Sequence, residues 1–361
     1  MTGEENKRIH RGLTGVYFDK TSITDIQGDN GCLIHRGYSI EDLSIDPRYE
    51  RISHLLINGR MPNKDEELSL QKKLTKHRYL QNDVVDLLEK MKGKRPDIAL
   101  RTAISFLGDR RGGPSDEEDW SLIGMMPSIV IAHHALRRDQ AIPDPHSDDD
   151  LASDFLSRLL QRPLTDLEKR IINLDFVLHA DHGANASAFV ARIAVSTEGD
   201  VSGAIAAAIA TFAGRLHGGA VAGVAQMLDE LGTADAARRF AEGYRLGSDP
   251  IMGFGHRVYR VEDPRAKLFR KAASDLSEDR GDRRLFETLE ALVEGMEPYR
   301  HFGISPNVDL YAAVIYRLLG LPDDLSTAIF ATARSAGWIA QIREQKSNNI
   351  LIRPRLLYEG E

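Results

Sequence analysis

Apolar residues recur along most of this chain at the three- and four-residue spacing of amphipathic helices. Ile52, Leu55 and Leu56, for example, fall on one face of a predicted helix. That face ends at Gly59, and Pro62 follows it, a combination typical of a helix C-terminus. The dominant pattern therefore predicts a chain built mainly from α-helices.

Short apolar runs separated by turn residues occupy only residues 15–38. Gly28 and the stretch at 29–31 supply the turn signals of a predicted hairpin. The apolar positions of the predicted strands are Val16, Ile23, Ile26, Leu33 and Ile34. Because strand signals are almost absent from the rest of the sequence, the predicted fold is mainly α with a small N-terminal β element.

Composition narrows the class of protein. The chain has 361 residues, enough for one large and one smaller domain, and 42% of them are hydrophobic. A formal net charge of −7 gives no indication of a nucleic acid or an anionic membrane as partner. The polar N-terminus predicts no signal peptide, and no apolar run reaches the ~20 residues of a membrane span. The single cysteine, Cys32, excludes an intrachain disulfide and fits a reducing, cytoplasmic compartment.

Reactive side chains in unusual surroundings occur in four segments. His182 lies in LHADHGAN after a predicted helix, and His217 lies in the apolar, glycine-rich stretch GRLHGGA. His256 follows two glycines in an arginine-rich loop, and Asp309 stands near the start of a predicted helix. Taken singly, each has an ordinary structural explanation: a polar helix end, a satisfied buried histidine, an exposed basic turn, or an acid that complements a helix dipole.

Metal binding is an alternative for the first of these segments. His179, Asp181 and His182 lie close together in the sequence. Their spacing matches no established zinc signature, so a metal-dependent hydrolase built on them is a competing hypothesis without motif support.

An arginine between two aromatic residues is harder to explain as an ordinary structural feature than the four segments above. Phe330, Arg334 and Trp338 recur every four residues, so they share one face of a predicted helix. A guanidinium on a buried stripe requires an anionic partner. That partner is either the carboxylate of a substrate or a structural Asp or Glu.

Taken together and in this order, these segments resemble the citrate synthase family. The resemblance begins with RGLTGV at 11–16 and closes with LIRPRLLY near the C-terminus. Between them lie LRTAISFLG, DHGANASAF, GRLHGGA, MGFGHRVYRVEDPRA, NVD and TARSAGWIAQ. The resemblance implies a helical two-domain fold with the active site in the cleft. Residues 1–217 and 316–361 would form the large domain, and residues 218–315 the small one.

The resemblance also implies three catalytic roles. His217 would donate a hydrogen bond to the thioester oxygen as it becomes an enolate. Asp309 would be the base that takes the proton from the acyl carbon. His256 would polarise and protonate the keto oxygen of the 2-oxo acid.

Binding roles follow from the same resemblance. The carboxylate-binding set would be His182, Arg265, Arg334 and Arg353. In the family the last of these arginines comes from the partner subunit, so a homodimer of the dimeric type is implied. The residues that would contact CoA are Gly253, Gly255 and Arg260. CoA would enter as a thioester co-substrate, with no permanently bound cofactor.

The chemistry of such a condensation agrees with these residue types. A thioester α-proton is only weakly acidic, so a carboxylate base needs a hydrogen-bond donor aimed at the developing enolate charge. A neutral histidine serves as that donor. Guanidinium groups bind the two carboxylates of the second substrate bidentately, and no metal is required.

The sequence departs from the family pattern in two places. Gly183 and Ala184 stand where a larger, often acidic residue usually follows the DH pair. Val221 and Ala222 stand where Asn and an acidic residue often follow the glycine-rich histidine motif. Because residues around a site orient its side chains, these departures bear on substrate choice and rate more than on the reaction class.

The leading functional hypothesis is the condensation of acetyl-CoA with oxaloacetate to give citrate and CoA. A 2-methylcitrate synthase using propionyl-CoA, or an enzyme for a related 2-oxo acid, remains an alternative within the same class. A non-catalytic member that binds CoA or dicarboxylates as a sensor is the alternative from another class. Retention of a base beside two histidines argues against a sensor, since a pure binding protein needs no base.

Overall fold

The computed structural model describes residues 9–109, 116–146, 149–247 and 251–360. Within these ranges the chain forms sixteen α-helices and one three-stranded sheet, so the prediction of a mainly α fold with a small N-terminal β element is confirmed. No helix in this part of the chain combines the length and the apolar character that a bilayer span requires.

The sheet is antiparallel and runs in the order β1-β2-β3. Its strands are β1 (Thr24–Gln27), β2 (Cys32–His35) and β3 (Tyr38–Ser39). Ile26 pairs with Leu33 across the predicted hairpin. The expectation that Val16 lies in a strand was wrong, because the sheet begins only at Thr24 and Val16 is 38% exposed in an irregular segment.

Helices follow the sheet and fill the rest of the described chain. The first eight are α1 (Ile40–Leu43), α2 (Tyr49–Asn58), α3 (Lys64–Lys76), α4 (Asn82–Lys90), α5 (Pro96–Phe106), α6 (Asp116–Arg137), α7 (Leu151–Leu160) and α8 (Asp166–His179). The next eight are α9 (Ala186–Ser196), α10 (Val201–Phe212), α11 (Ala220–Leu231), α12 (Ala234–Gly243), α13 (Pro264–Arg280), α14 (Arg284–Met296), α15 (Val308–Leu318) and α16 (Ser326–Ser347). Helix α2 ends at Gly59 as predicted, with a left-handed φ of 80°.

Helix α16 forms the centre of the main core. It packs against α2, α5, α6, α8, α9 and α10, and its side chains are buried on every face for most of its length. Helices α11, α13 and α15 join the same core from one side. Polar residues of α16, such as Arg334, are therefore held away from bulk water.

A second, smaller core lies between α12 and α14. Its buried members are Ala237, Ala241, Tyr244, Ile251, Ala291, Leu292 and Met296. All of them fall within residues 218–315, the segment predicted to be a small domain. The exact domain boundaries stay a prediction.

Candidate active site

Four chain segments converge beside the N-terminal half of α16. They carry His182, His217, His256 and Asp309, which are far apart in the sequence. The rings of His182 and His256 lie 5.1 Å apart between centroids. Arg334 lies close enough to His182, His217 and Asp309 to influence the pKa of all three.

The loop that carries His256 fixes the protonation pattern of its ring. The backbone N–H groups of Val258 and Tyr259 donate to His256 Nδ1 at 3.0 and 3.1 Å. Because Nδ1 accepts, the proton of the neutral ring lies on Nε2. Burial lowers the pKa of His256 to about 4, so the ring is a neutral donor through Nε2 at neutral pH.

The His256 loop is bonded to the segment that begins α15. Asn307 donates its backbone N–H to the Gly253 carbonyl and its Nδ2 to the Gly255 carbonyl, both at 2.9 Å. Both glycines have left-handed φ angles, 81° and 78°. A Cβ on Gly253 would lie 2.4 Å from Leu310 Cδ1, so the two segments pack too closely for a side chain there.

Asp309 occupies the first turn of α15, but its carboxylate does not cap the helix. Asn307 Oδ1 accepts the Asp309 backbone N–H at 3.1 Å and takes the capping role. In the described ranges, no side chain or backbone group hydrogen-bonds the Asp309 carboxylate. Burial raises the pKa of Asp309 to about 7, against the opposing effect of nearby Arg265 and Arg334. A carboxylate with this pKa can both take up and release a proton near neutral pH.

His217 lies in the turn between α10 and α11, with its ring against Phe212 at 4.7 Å between centroids. Its Nε2 lies 3.0 Å from Ser187 Oγ and 3.2 Å from Asn185 Oδ1. Trp338 Nε1 donates to the same Ser187 Oγ at 3.1 Å. Burial, with a smaller contribution from Arg334, lowers the pKa of His217 to about 3, so this ring is neutral as well.

The two buried arginines of the site differ in their partners. Arg265 donates through Nε and Nη2 to both carboxylate oxygens of buried Asp263, at 3.0 and 2.7 Å. Arg334 donates only through Nε, to the backbone carbonyl of His179, and stacks 5.1 Å from the Phe330 ring centroid. No carboxylate in the described part of the chain hydrogen-bonds Arg334, so the structural Asp or Glu considered from the sequence is absent there. Its terminal nitrogens are available to an anion.

His182 is buried just beyond the end of α8. Its Nε2 lies 3.3 Å from the Tyr259 hydroxyl, the one hydrogen-bond partner that its ring has among the described residues. Burial lowers the pKa of His182 well below its usual value, and the positive charge of Arg265 lowers it further. The ring is therefore neutral and has a hydrogen-bonding nitrogen to spare.

Two predicted residues lie away from this cluster. Arg353 is exposed on the irregular C-terminal tail. The Arg260 side chain is exposed, and its backbone N–H donates to the Gly28 carbonyl at 3.0 Å. The latter bond ties the hairpin turn of the β element to the His256 loop.

The segment considered for metal binding separates its three side chains. The His179 ring packs against Phe330, 3.6 Å between centroids, whereas Asp181 accepts from Thr24 Oγ1 at 2.6 Å. His182 faces Tyr259 instead. Across the described ranges, no group of three or more His, Cys, Asp or Glu residues is arranged to hold a metal ion.

The four departures from the family pattern lie in different surroundings. Gly183 is buried with a φ of 54°, and a Cβ there would lie 3.2 Å from Ile26 Cδ1. Ala184 is exposed, Val221 is buried, and Ala222 is half-buried at the start of α11.

Sequence reasoning missed the residues that orient the histidines. Asn185 and Ser187 contact His217, and Tyr259 contacts His182 across 77 positions of sequence. Asn185 and Ser187 lie within a segment that carries the family resemblance, which is the signal that could have singled them out. No local pattern in the sequence indicates the Tyr259 contact.

Comparisons with known proteins show which family the sequence is similar to. The sequence family described as "Citrate synthase, C-terminal domain" matches residues 12–355. A citrate synthase of Haloferax volcanii is 36% identical over 374 aligned residues, covering 100% of this chain and 97% of the relative. A citrate/2-methylcitrate synthase of Bacillus subtilis is 34% identical and covers 99% of this chain and 98% of the relative.

A solved structure provides the comparison in three dimensions. It is the ternary complex of carboxymethyl coenzyme A and oxaloacetate with citrate synthase from Thermoplasma acidophilum. The TM-score is 0.92 at 29% sequence identity, with 98% of this chain and 97% of that chain covered. Nearly all of this chain therefore shares its fold with that enzyme.

Proposed function

The chain belongs to the citrate synthase family, and we propose that it condenses acetyl-CoA with oxaloacetate to give citrate and free CoA. The observation that carries this proposal is the cluster of a base, neutral donors and a buried, carboxylate-free arginine. Burial raises the pKa of Asp309 to about 7, His217 and His256 are neutral, and no carboxylate among the described residues hydrogen-bonds Arg334. The reactants are the CoA thioester, oxaloacetate and water, and these side chains supply the base and the donors.

The first step is removal of a proton from the methyl carbon of acetyl-CoA. Asp309 takes this proton as its carboxylate becomes a carboxylic acid, and the thioester oxygen gains the enolate charge. His217 stabilises that charge by donating through Nδ1, because its Nε2 faces Ser187 and Asn185. In this structure the Ser187 hydroxyl donates to Asn185 Oδ1 at 2.7 Å, and that arrangement favours the ring proton on Nε2. Donation from Nδ1 therefore requires the Ser187 hydroxyl to turn from Asn185 and donate to Nε2.

The second step forms the carbon–carbon bond. The enolate carbon attacks the keto carbon of oxaloacetate, whose oxygen becomes an alkoxide and takes a proton from His256 Nε2. The Nδ1 bonds from Val258 and Tyr259 keep that proton on Nε2 beforehand. Water then cleaves the citryl thioester, so that one acetyl-CoA, one oxaloacetate and one water yield citrate and CoA.

Binding of oxaloacetate falls to His182, Arg265 and Arg334. Arg334 offers two unpartnered terminal nitrogens, and Arg265 offers Nη1, since Asp263 occupies its Nε and Nη2. Bidentate pairing of a substrate carboxylate with Arg334 would compensate the charge that folding has buried. Gly253, Gly255 and Arg260 are the proposed CoA contacts.

Propionyl-CoA is the second candidate acyl donor, giving 2-methylcitrate. The observation that favours it is the 34% identical relative named citrate/2-methylcitrate synthase. One extra methylene changes binding by only about 1–3 kcal/mol, so small differences in pocket shape decide the preference. The departures at Gly183 and Ala184 lie beside His182 and are the places where such a difference would arise.

We further infer a cytoplasmic homodimer, in which Arg353 reaches the partner's active site. An apolar groove of about 510 Å³ lies between α5 and α10, lined in part by Phe106 and Ala210. Tyr17 and Leu356, in the N- and C-terminal arms, are 97% and 99% exposed. These exposed apolar residues and the groove are where we expect a second copy of the chain to pack. Residues 218–315 are the proposed small domain, which would close on oxaloacetate.

Release of free thiol tests the proposal. We expect release from acetyl-CoA that depends on oxaloacetate and is lost in Asp309→Asn. The ratio of the rates with acetyl-CoA and propionyl-CoA would then decide between citrate and 2-methylcitrate. If neither thioester released thiol although the protein still bound CoA, the chain would be a binding protein and not an enzyme.

A further inference from the structure

Tyr259 lies between the two histidines assigned to the 2-oxo acid. Its side chain is 1% exposed, and its ring centroid lies 4.6 Å from that of His256 and 5.6 Å from that of His182. Its hydroxyl lies 3.3 Å from His182 Nε2, and its backbone N–H donates to His256 Nδ1 at 3.1 Å. One residue thus contacts a ring nitrogen of each histidine.

The direction of the hydroxyl bond follows from the available donors and acceptors. Burial raises the pKa of Tyr259, so the phenol keeps its proton at neutral pH. Among the described residues, the hydroxyl contacts no acceptor other than His182 Nε2. A buried O–H is seldom left without an acceptor, so its proton lies on the His182 side of the contact. The neutral His182 ring then carries its own proton on Nδ1.

We propose that Tyr259 is a positioning residue for the dicarboxylate substrate: its hydroxyl donates to His182 Nε2 and holds that ring in the neutral Nδ1–H form and in one orientation. The inference rests on the proposed function. It adds that the contact between His182 and the 2-oxo acid depends on Tyr259, which takes no part in the chemical steps. The same residue fixes His256 through its backbone, which no side-chain substitution removes.

Tyr259→Phe removes the hydroxyl and keeps the ring. We expect the Kd for oxaloacetate, measured by calorimetry, and the KM to rise about 10-fold, the cost of one buried hydrogen bond. We expect kcat to fall less than threefold, because His217, His256 and Asp309 are untouched. Tyr316→Phe is the matched control, because Tyr316 is equally buried and donates to Asp175 at 2.9 Å. The control should leave the Kd unchanged.

The pH dependence should be the same in the variant and in the wild type. Burial, and after it the positive charge of Arg265, hold the pKa of His182 well below its usual value, and Tyr259→Phe removes neither. The variant therefore loses the choice of tautomer and the orientation of the ring, while the ring stays neutral. The increase in the oxaloacetate Kd should not change across the neutral pH range, and an increase that disappears on mild acidification would overturn the proposal.

A double-mutant cycle with His182→Gln provides the second measurement. If Tyr259 acts through His182, Tyr259→Phe should have no further effect on the Kd in the His182→Gln background. Additive losses would assign the hydroxyl a role independent of His182 and overturn the proposal. Wild-type protein that binds oxaloacetate without releasing CoA would contradict the proposed function alone. Wild-type turnover with an unchanged Tyr259→Phe Kd would contradict the tyrosine alone.

Discussion

Two arginines, Arg334 on helix α16 and Arg192 on the adjacent helix α9, are each only 2% exposed. They differ in whether a carboxylate of the protein is bonded to the guanidinium group. Arg192 donates to Gln341 at 2.7 Å and forms an ion pair with Glu344, so its charge is neutralised within the fold. Arg334 has one bond, to the His179 carbonyl, and an aromatic ring beneath it. Among the described residues, Arg192 is therefore directly paired with a carboxylate, whereas Arg334 feels Asp181 and Asp309 only at longer range.

The difference separates a structural site from a binding site. A buried charge without a directly bonded partner destabilises a fold. Such a charge is therefore more typical of a binding site, where a ligand supplies the partner, than of a structural site. Burial lowers the pKa of Arg334 to about 10, which is the physical mark of that cost. The neighbouring Asp309 carboxylate is likewise without a hydrogen bond in the described structure. In the part of the chain that the structure describes, charged groups of both signs without a hydrogen-bonded ionic partner lie close together around Arg334, whereas Arg192 and Glu344 are paired with each other.

Replacement of the base should give the largest effect. Asp309→Asn keeps the shape but removes the proton acceptor, so kcat should fall about 10²- to 10⁴-fold. Because the buried carboxylate has no partner to lose, the Tm should not fall. Glu344→Gln, in the compensated region, should do the reverse and lower the Tm while leaving kcat unchanged. Equal losses of stability in both variants would remove the distinction between the two regions.

The two arginines should respond differently to the same substitution. Arg334→Met should raise the KM for oxaloacetate about 10²-fold or more, with a smaller loss of stability than Arg192→Met, because no carboxylate among the described residues is hydrogen-bonded to Arg334. Arg192→Met should destabilise the fold by about 2–3 kcal/mol, because Glu344 loses its partner, and should leave the KM unchanged. Urea unfolding and steady-state kinetics on both variants provide the measurement.

The pH dependence of the reaction should reflect the unpartnered carboxylate. Asp309 must be deprotonated to act as base, and its pKa is raised to about 7 by burial. The kcat/KM for acetyl-CoA should therefore fall as the pH drops through 7, about tenfold per unit below it. An acidic limb near 4, the ordinary value for aspartate, would contradict burial of this group in the working enzyme.

The smallest predicted effect is a loss of stability on acidification. His35 is fully buried beside the cleft, and burial lowers its pKa to about 4. Its folded pKa is below the unfolded value of about 6.5, so its contribution to stability is complete above 6.5 and is lost as the pH falls towards 4. We expect the Tm to fall by a few degrees between pH 6.5 and 5. His35→Gln should flatten that slope.

Local physical signals made most of the helices predictable. Glycine after an apolar run ended α2 at Gly59, and the capping box of Thr165 and Glu168 begins α8. Val16 was misassigned because an apolar residue near a turn resembles a strand, but pairing needs a neighbouring strand that the fold does not provide. Strand formation depends on distant partners, whereas helix ends depend on residues a few positions away.

The candidate site likewise contains both locally predictable residues and contacts that depend on the fold. The sequence indicated that Arg334 needs an anion, because its position between two aromatic residues of a helical face is a local property. It did not indicate the contact between Tyr259 and His182, which depends on how the loop after α8 meets the His256 loop. Arg353 stays a prediction, since its proposed site lies in a second copy of the chain.

Carbon tracing is the most direct test of the central claim that the cleft joins an acyl carbon to a dicarboxylate. The protein would be incubated with [2-¹³C]acetyl-CoA and oxaloacetate, and the products followed by ¹³C NMR. The account predicts labelled citrate and free CoA in equal amounts, with neither formed by Asp309→Asn. Labelled acetate in place of citrate would show that the thioester is hydrolysed without condensation, and would contradict the account.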